Sequence, residues 1–483
     1  MPSYNSDSLA ELGLPRGFSF ADLYDREGLS RVDASFIAHL AGADAGLHNR
    51  LVAARRDPET LDAKAESQLL IDLAPHLEDF IGGLFGIAAE IRALQARHHA
   101  LAPLYSVKRL FVQRRAVKGV TPEAAAVLDG PALGRELETA MGEALTEQSY
   151  AAHVARWMEA ESGHAAALDL AARYGAWATL SQEGQALYKH GVLFKVPHKL
   201  DMTHLVPVET VVEHGVTMLR LGPEHRRYRE GFELTDAGMD LTAALDHANY
   251  CIWCHNQGKD SCARGLKDKK SGAFQKTVFG VTLAGCPLEE KVSELNTVKA
   301  AGYSIGALAI VAVDNPMAAA TGHRICNDCM KACIYQKQDP VDIPQIETRT
   351  LKDVLALPWG FEIYSLLTRW NPLDLRRPLP RPASGYKVLV VGLGPAGFTL
   401  AHHLMNDGHT VVGIDGLKIE PLSPAISGID AAGKRHPFRP IRDVAELRES
   451  LDERLMAGFG GVAEYGITVR WDKNFLKLIR LLL

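Results

Sequence analysis

The sequence predicts a multidomain chain. A helical N-terminal region leads into an α-helical, cysteine-rich domain and then into an incomplete α/β Rossmann-type domain. Three observations carry that prediction. Apolar residues recur at helical spacing from about Ser30 to Leu187, all seven cysteines fall between Cys251 and Cys333, and a strand–glycine–helix–strand pattern runs from Lys387 to Asp415. At 483 residues the chain is too long for one ordinary core.

Residues 1–190 read as the helical region. Leu69, Leu70, Leu73, Leu77, Phe80, Ile81, Leu84 and Ile87 lie on one i, i+3/i+4 stripe, and Pro131 to Glu161 supports another helix. The histidines here (His98, His99, His153 and His164) show no ligand spacing and read as surface or core residues. Residues 191–245 form a small β-containing connection, with valines from Val206 to Val216 in short strands and a turn near Gly215. Asp240 to Asn249 then reads as a short helix delivering the chain into Cys251. Residues 246–370 hold the cysteines, with helices expected over Glu289 to Ala301 and Ile305 to Val313, and another beginning at Leu351 to Leu357. Residues 371–385, rich in proline and arginine, are an inter-domain linker, semi-stiff because proline favours extended backbone. Residues 386–483 are a partial dinucleotide-binding domain.

Composition narrows the function classes. With 47% apolar and 23% charged residues the chain is globular in type, and a formal charge of −5 offers no broad attraction to nucleic acid or anionic lipid. No apolar run reaches the length of a membrane span, and Met1 to Leu14 lacks the apolar core of a signal peptide. A reducing cytoplasm is therefore expected. There, clustered cysteines read as metal ligands or catalytic thiols sooner than as disulfides.

In the last domain, Lys387 to Val391 is a buried-strand pattern running into Gly392-Leu393-Gly394-Pro395-Ala396-Gly397, a helix, and a second strand ending at Asp415. Gly392 permits the tight turn, Gly394 lets the backbone approach a pyrophosphate, and Gly397 lets helix and strand pack closely. The helix N-terminus offers N–H groups to phosphate, and Asp415 can accept from ribose hydroxyls. The motif alone does not separate FAD from NAD.

The cysteines read Cys251-x2-Cys254-x7-Cys262, Cys286-Pro287 and Cys326-x2-Cys329-x3-Cys333. A zinc ribbon of Cys251, Cys254, Cys326 and Cys329 would leave Cys262, Cys286 and Cys333 idle. A redox dithiol would not need seven thiols. Iron–sulfur ligation accounts for the set best, since a pair of [4Fe–4S] clusters needs about eight ligands and leaves one position for a different residue.

Cys286-Pro287-Leu288-Glu289-Glu290-Lys291, Cys326-Asn327-Asp328-Cys329-Met330-Lys331-Ala332-Cys333 and Val341-Asp342-Ile343-Pro344-Gln345-Ile346-Glu347 resemble one known module. It is the iron–sulfur domain of the glutamate synthase small subunit and of dihydropyrimidine dehydrogenase, which an FAD domain opening with G-x-G-P-A-G follows. Phe459 to Ile467 is similar to the segment of that family beside the flavin. The resemblance implies Cys251, Cys254, Cys262 and Cys333 on one cluster, and Cys286, Cys326 and Cys329 on the other. Glu347 would be the eighth ligand, with Gln345 as the fallback. It places FAD on Gly392, Gly394, Pro395, Ala396, Gly397, Asp415, Gly460 and Gly461. The Cys254–Cys262 and Cys262–Cys286 gaps are wider than in the family, and the helical N-terminal region has no counterpart there.

On this resemblance the chain is expected to be an iron–sulfur flavoprotein oxidoreductase, or its electron-transfer portion, using FAD and two [4Fe–4S] clusters. Its partner would be another oxidoreductase domain or subunit. Only one glycine motif occurs, and Phe475 to Leu483 reads as the opening of an amphipathic helix. The chain therefore reads as truncated within the FAD domain, with NAD(P)H expected only for a full-length parent. The alternative is a non-catalytic scaffold, stabilised by zinc or a cluster, that binds a partner. Substrate identity is not in the sequence.

Overall fold

The computed structural model describes residues 13–226, 237–322, 325–416, 422–430, 432–434, 436, 439–447 and 473–483. The expected helical N-terminal region is present. Helix α1 spans Arg26–Ala43, α2 Ala45–Arg56, α3 Ala63–Phe85 and α4 Ala88–Val107. Aspartates start the first three: Asp25, Asp44 and Asp62 accept the N–H groups of Gly28, Leu47 and Ala65, each at 2.8 Å. Gly86, at φ 67°, ends α3 in the left-handed conformation glycine tolerates best.

Beyond α4 come α5 (Gly130–Met141), α6 (Glu147–Glu159) and α7 (Glu161–Leu180). The single helix expected over Pro131 to Glu161 is thus two. Gly142 at φ 73° stops α5, and a capping box of Thr146 and Ser149 restarts the chain as α6. Strands β1 (Val208–Glu213) and β2 (Val216–Leu221) pair as an antiparallel hairpin about His214-Gly215. Helix α8 (Leu241–Tyr250) then leads to the cysteines.

Helices α9 (Val292–Ala300), α10 (Ser304–Asp314), α11 (Ile343–Leu355) and α12 (Gly360–Leu367) frame the cysteine domain. Helix α9 starts later than expected because Glu289 lies at φ 50°. Leu351 to Leu355 proves to be the end of α11, not the start of a helix; its first turn is set by Asp342, whose carboxylate accepts the Gln345 N–H at 3.3 Å.

Burial divides the chain differently from its sequence boundaries. Helices α1–α3 share one apolar core with α9–α12, including Phe36, Phe80, Ile310, Ile346 and Trp370. The end of α4 through Phe194 closes a second core around Phe111, Leu137, Tyr150 and Trp177. The stretch expected to be a linker is packed along its first half. Leu373 and Leu375 are buried, Asn371 Nδ2 donates to the Ala309 carbonyl at 2.7 Å, and Arg376 pairs with Glu59 and Glu66 at 3.1 Å each.

After it, β3 (Lys387–Val391) and β4 (Thr410–Ile414) lie parallel, joined by α13 (Pro395–Asn406). This is a β-α-β unit. Among the described residues its sheet has two strands, short of the larger sheet that defines a Rossmann domain. Helix α14 (Lys473–Leu482) closes the described chain. The segment Phe459 to Ile467 lies outside the described residues, and with it Gly460 and Gly461. Among the described residues no helix is long and apolar enough to cross a membrane.

Candidate functional site

All seven cysteines are free thiols, five of them buried, Cys286 half-buried and Cys326 exposed. The fold gathers them into two neighbourhoods. Cys251 follows α8 directly, and Cys254 opens a tight turn reached through Trp253. Trp253 sits at φ 53°, a conformation that costs a bulky residue roughly 1–2 kcal/mol, so packing must hold the bend. Its N–H points back at Cys251 Sγ, 3.4 Å away. Cys262 and Cys333 act on each other most strongly: their interaction holds Cys333 below the usual thiol range and, with burial, pushes Cys262 well above it. Burial, then the charge of Cys251, pushes Cys254 up to about 12. Burial likewise raises Cys251, and the charge of Cys333 adds to it.

The second neighbourhood is built on α11. Glu347 is buried there and hydrogen-bonded to Glu290; burial first and the negative charge of Glu290 next hold its carboxyl far above the usual range. Burial and then Glu290 push Cys286 up to about 11. Cys329 is raised by burial, then by Glu347, Glu290 and Cys286. Cys326 acts on Glu347. Gln345 is turned to other work, its side-chain carbonyl accepting the Met239 N–H at 3.0 Å. The neighbourhoods meet where the Cys286 N–H donates to the Cys262 carbonyl at 2.8 Å.

Among the described residues no three His, Cys, Asp or Glu side chains converge on a point that one metal ion could occupy. A zinc ribbon would have to draw Cys251 and Cys254 together with Cys326 and Cys329, which belong to different neighbourhoods. A cluster makes a looser demand, because each thiolate binds a separate iron.

The glycine loop follows β3. Gly392 is at φ 91°, and a Cβ on Gly397 would collide with the Gly392 carbonyl, so the close helix–strand approach needs glycine at both positions. A Cβ on Gly394 would meet open space. Pro395 and Ala396 open α13. Asp415 folds back on the loop, its Oδ2 accepting the Leu393 N–H and its Oδ1 the Gly416 N–H, both at 2.6 Å.

Two further acids belong to the site. Glu290, four residues past Cys286, joins the second neighbourhood; its place in the Cys-Pro motif was a usable signal. Asp260, pushed up to about 7 by burial and then by Glu294, lies close enough to the first to raise Cys254 and Cys262. Nothing in its local pattern marks it.

Part of the chain is distantly similar to an oxidoreductase subunit. It is 34% identical over 128 residues to the Glutamate synthase [NADPH] small chain of Mycobacterium tuberculosis (strain ATCC 25618 / H37Rv), covering 26% of this chain and 23% of that one. Residues 14–86 match the family model described as the RP005 N-terminal alpha-helical domain. Against "Uncharacterized protein RP005" of Rickettsia prowazekii (strain Madrid E) identity is 30% over 304 residues, 60% of this chain and 98% of that protein. The chain belongs to the RP005 family. It is also 58% identical over 167 residues, 35% of its length, to "Uncharacterized protein RP006" of the same organism, of which it spans 22%.

Proposed function

We propose that this chain is the electron-transfer portion of an iron–sulfur flavoprotein oxidoreductase. Cys251, Cys254, Cys262 and Cys333 would hold one [4Fe–4S] cluster, and Cys286, Cys326, Cys329 and Glu347 the other. Gly392, Gly394, Pro395, Ala396, Gly397 and Asp415, with Gly460 and Gly461, would hold FAD. When bound, these groups supply the electron carriers that protein side chains lack. The chain's own residues would bind them and fix their spacing. The Trp253 N–H directed at Cys251 Sγ would bias the potential of the first centre, as hydrogen bonds to cluster sulfur ligands do. A nicotinamide nucleotide would be the reductant of a longer parent protein, and a second redox domain or subunit in the cytoplasm would be the partner.

One observation carries this reading. Seven thiols and one carboxylate, scattered over nearly a hundred residues, act electrostatically on one another in two sets, which supports the ligand sets implied by the resemblance. The thiols suit soft-metal ligation: none is in a disulfide, and five of the seven are buried. Anaerobic reconstitution should yield on the order of eight irons and eight labile sulfides per chain. Bound zinc without labile sulfide would instead support the scaffold reading.

A further inference from the structure

The segment between Cys262 and Cys286 is locally basic. Arg264, Lys267, Lys269, Lys270 and Lys276 face a single acid, Asp268, in a protein whose formal charge is −5. The segment folds as a small three-pass meander. Gln275 N donates to Leu266 O at 2.8 Å, Leu283 N to Gln275 O at 2.9 Å, and Leu266 N to Leu283 O at 2.9 Å. Two turns project from it. The first is tied by Asp268, whose carboxylate accepts the N–H groups of Lys270 and Ser271 at 3.0 and 2.8 Å, and so presents Lys269 and Lys270 to solvent. The second, closed by Gly280 at φ 77°, presents Val278 and Phe279, which are 70% and 66% exposed. Leu283, 1% exposed, anchors the base.

The base matters most. It is closed by the Cys286 N–H on the Cys262 carbonyl, one residue from each thiol neighbourhood. The meander therefore rises from the junction of the two proposed centres. Among the described residues Lys269, Lys270 and Lys276 make no ion pair, and the exposed Val278 and Phe279 follow Lys276 by two and three residues. Solvated lysines flanking an apolar tip suit a transient interface with an acidic protein, steered by charge and sealed by a small apolar contact.

We infer that this meander is the docking surface for an acidic electron-carrier protein of the small iron–sulfur type. The inference rests on the electron-transfer reading for the nature of its partner.

The test uses the full chain after anaerobic reconstitution, immobilised, with an acidic two-cluster bacterial ferredoxin as the probe. Binding at 50 mM salt should weaken at least tenfold at 300 mM, as a charge-steered contact requires. The triple variant K269E/K270E/K276E should lose at least tenfold at low salt, and Phe279→Ser should lose affinity while keeping the salt dependence. Unchanged thermal melting of each variant guards against misfolding. Absence of ferredoxin binding, or binding that the triple variant retains, overturns the inference. So does lysine-dependent binding of phosphatidylserine vesicles or duplex DNA in place of ferredoxin. Iron and labile sulfide are measured on the same preparation. A preparation with full clusters and no binding refutes the docking alone. One without clusters that still binds ferredoxin through the lysines refutes the electron-transfer reading and leaves the docking standing.

Discussion

Glu78 on α3 accepts the backbone N–H of Ile305 on α10 at 2.8 Å, and that of Gly306 at 3.3 Å. A carboxyl from the N-terminal helices thereby occupies the first turn of a helix in the cysteine domain, where the helix dipole favours negative charge. Gln95 donates to its other oxygen at 2.8 Å. Burial nevertheless pushes Glu78 up to about 7, against an ordinary value of 4.5.

The sign of the consequence follows from which state holds the proton. Between about pH 4.5 and 7 the unfolded chain has lost the Glu78 proton while the folded chain keeps it, so stability falls as pH rises. His98 opposes this: burial holds it down to about 4, so over the acid part of the range its contribution rises with pH. Glu78→Gln should remove the falling term and gain on the order of 2–3 kcal/mol over wild type between pH 4.5 and 8. Urea denaturation at both pH values measures it. A difference between the two proteins that does not change with pH would refute the assignment.

Asp33 ties α1 to two partners. Its Oδ1 accepts the Trp370 indole N–H at 2.9 Å, and Arg55 grips both oxygens at 2.8 and 3.1 Å. Asp33→Ala strands a buried indole N–H and an enclosed guanidinium, and should cost roughly 2–4 kcal/mol. The denaturation midpoint should drop with the urea slope unchanged.

Gly394 and Gly397 separate ligand from fold. Gly397→Ala forces a Cβ into the Gly392 carbonyl and should lower the melting temperature. Gly394→Ala meets open space, so it should melt like wild type yet lose flavin, because the backbone can no longer approach a pyrophosphate. Undiminished flavin in Gly394→Ala would end the dinucleotide assignment.

Cys262→Ser and Cys329→Ser fall in different neighbourhoods. Each should remove about four of eight irons, and the double variant nearly all. Glu347→Ala should perturb the same half as Cys329→Ser, whereas Gln345→Ala should leave the iron content alone. Loss of all iron from either well-folded cysteine variant would mean the thiols share one centre.

Much of the site was legible because its chemistry depends on local spacing. Gly392 to Gly397 and Cys326 to Cys333 each fit within one or two turns of chain, and a resemblance can be read there directly. The long-range arrangement was not legible. Periodicity marked the apolar stripe from Leu69 to Ile87, but it could not say that α10 covers that stripe, because an apolar face does not name its partner. Glu290 was signalled only by its place after Cys286-Pro287; otherwise an acid in a polar run looks solvated until α11 folds over it. The split at Gly142 needed only the left-handed conformation of one glycine, a signal present in the sequence and outweighed by the helical pattern around it.

The shared core is discontinuous in the chain. It runs to Leu94, gives way to a second core from Leu101 to Phe194 that Leu245 completes, and resumes at Ala248. A ribosome emits α1–α3 long before α9–α12, so the inner faces of Phe36 and Phe80 wait uncovered while more than two hundred residues are made. The intervening helices can close on themselves during that interval. The thiols of Cys251 and Cys254 then emerge before Cys333, and the first neighbourhood is complete only after Cys333 has emerged. The order of synthesis therefore exposes reactive cysteines and an open apolar face together, which favours holding the nascent chain reduced and shielded until α11 and α12 arrive.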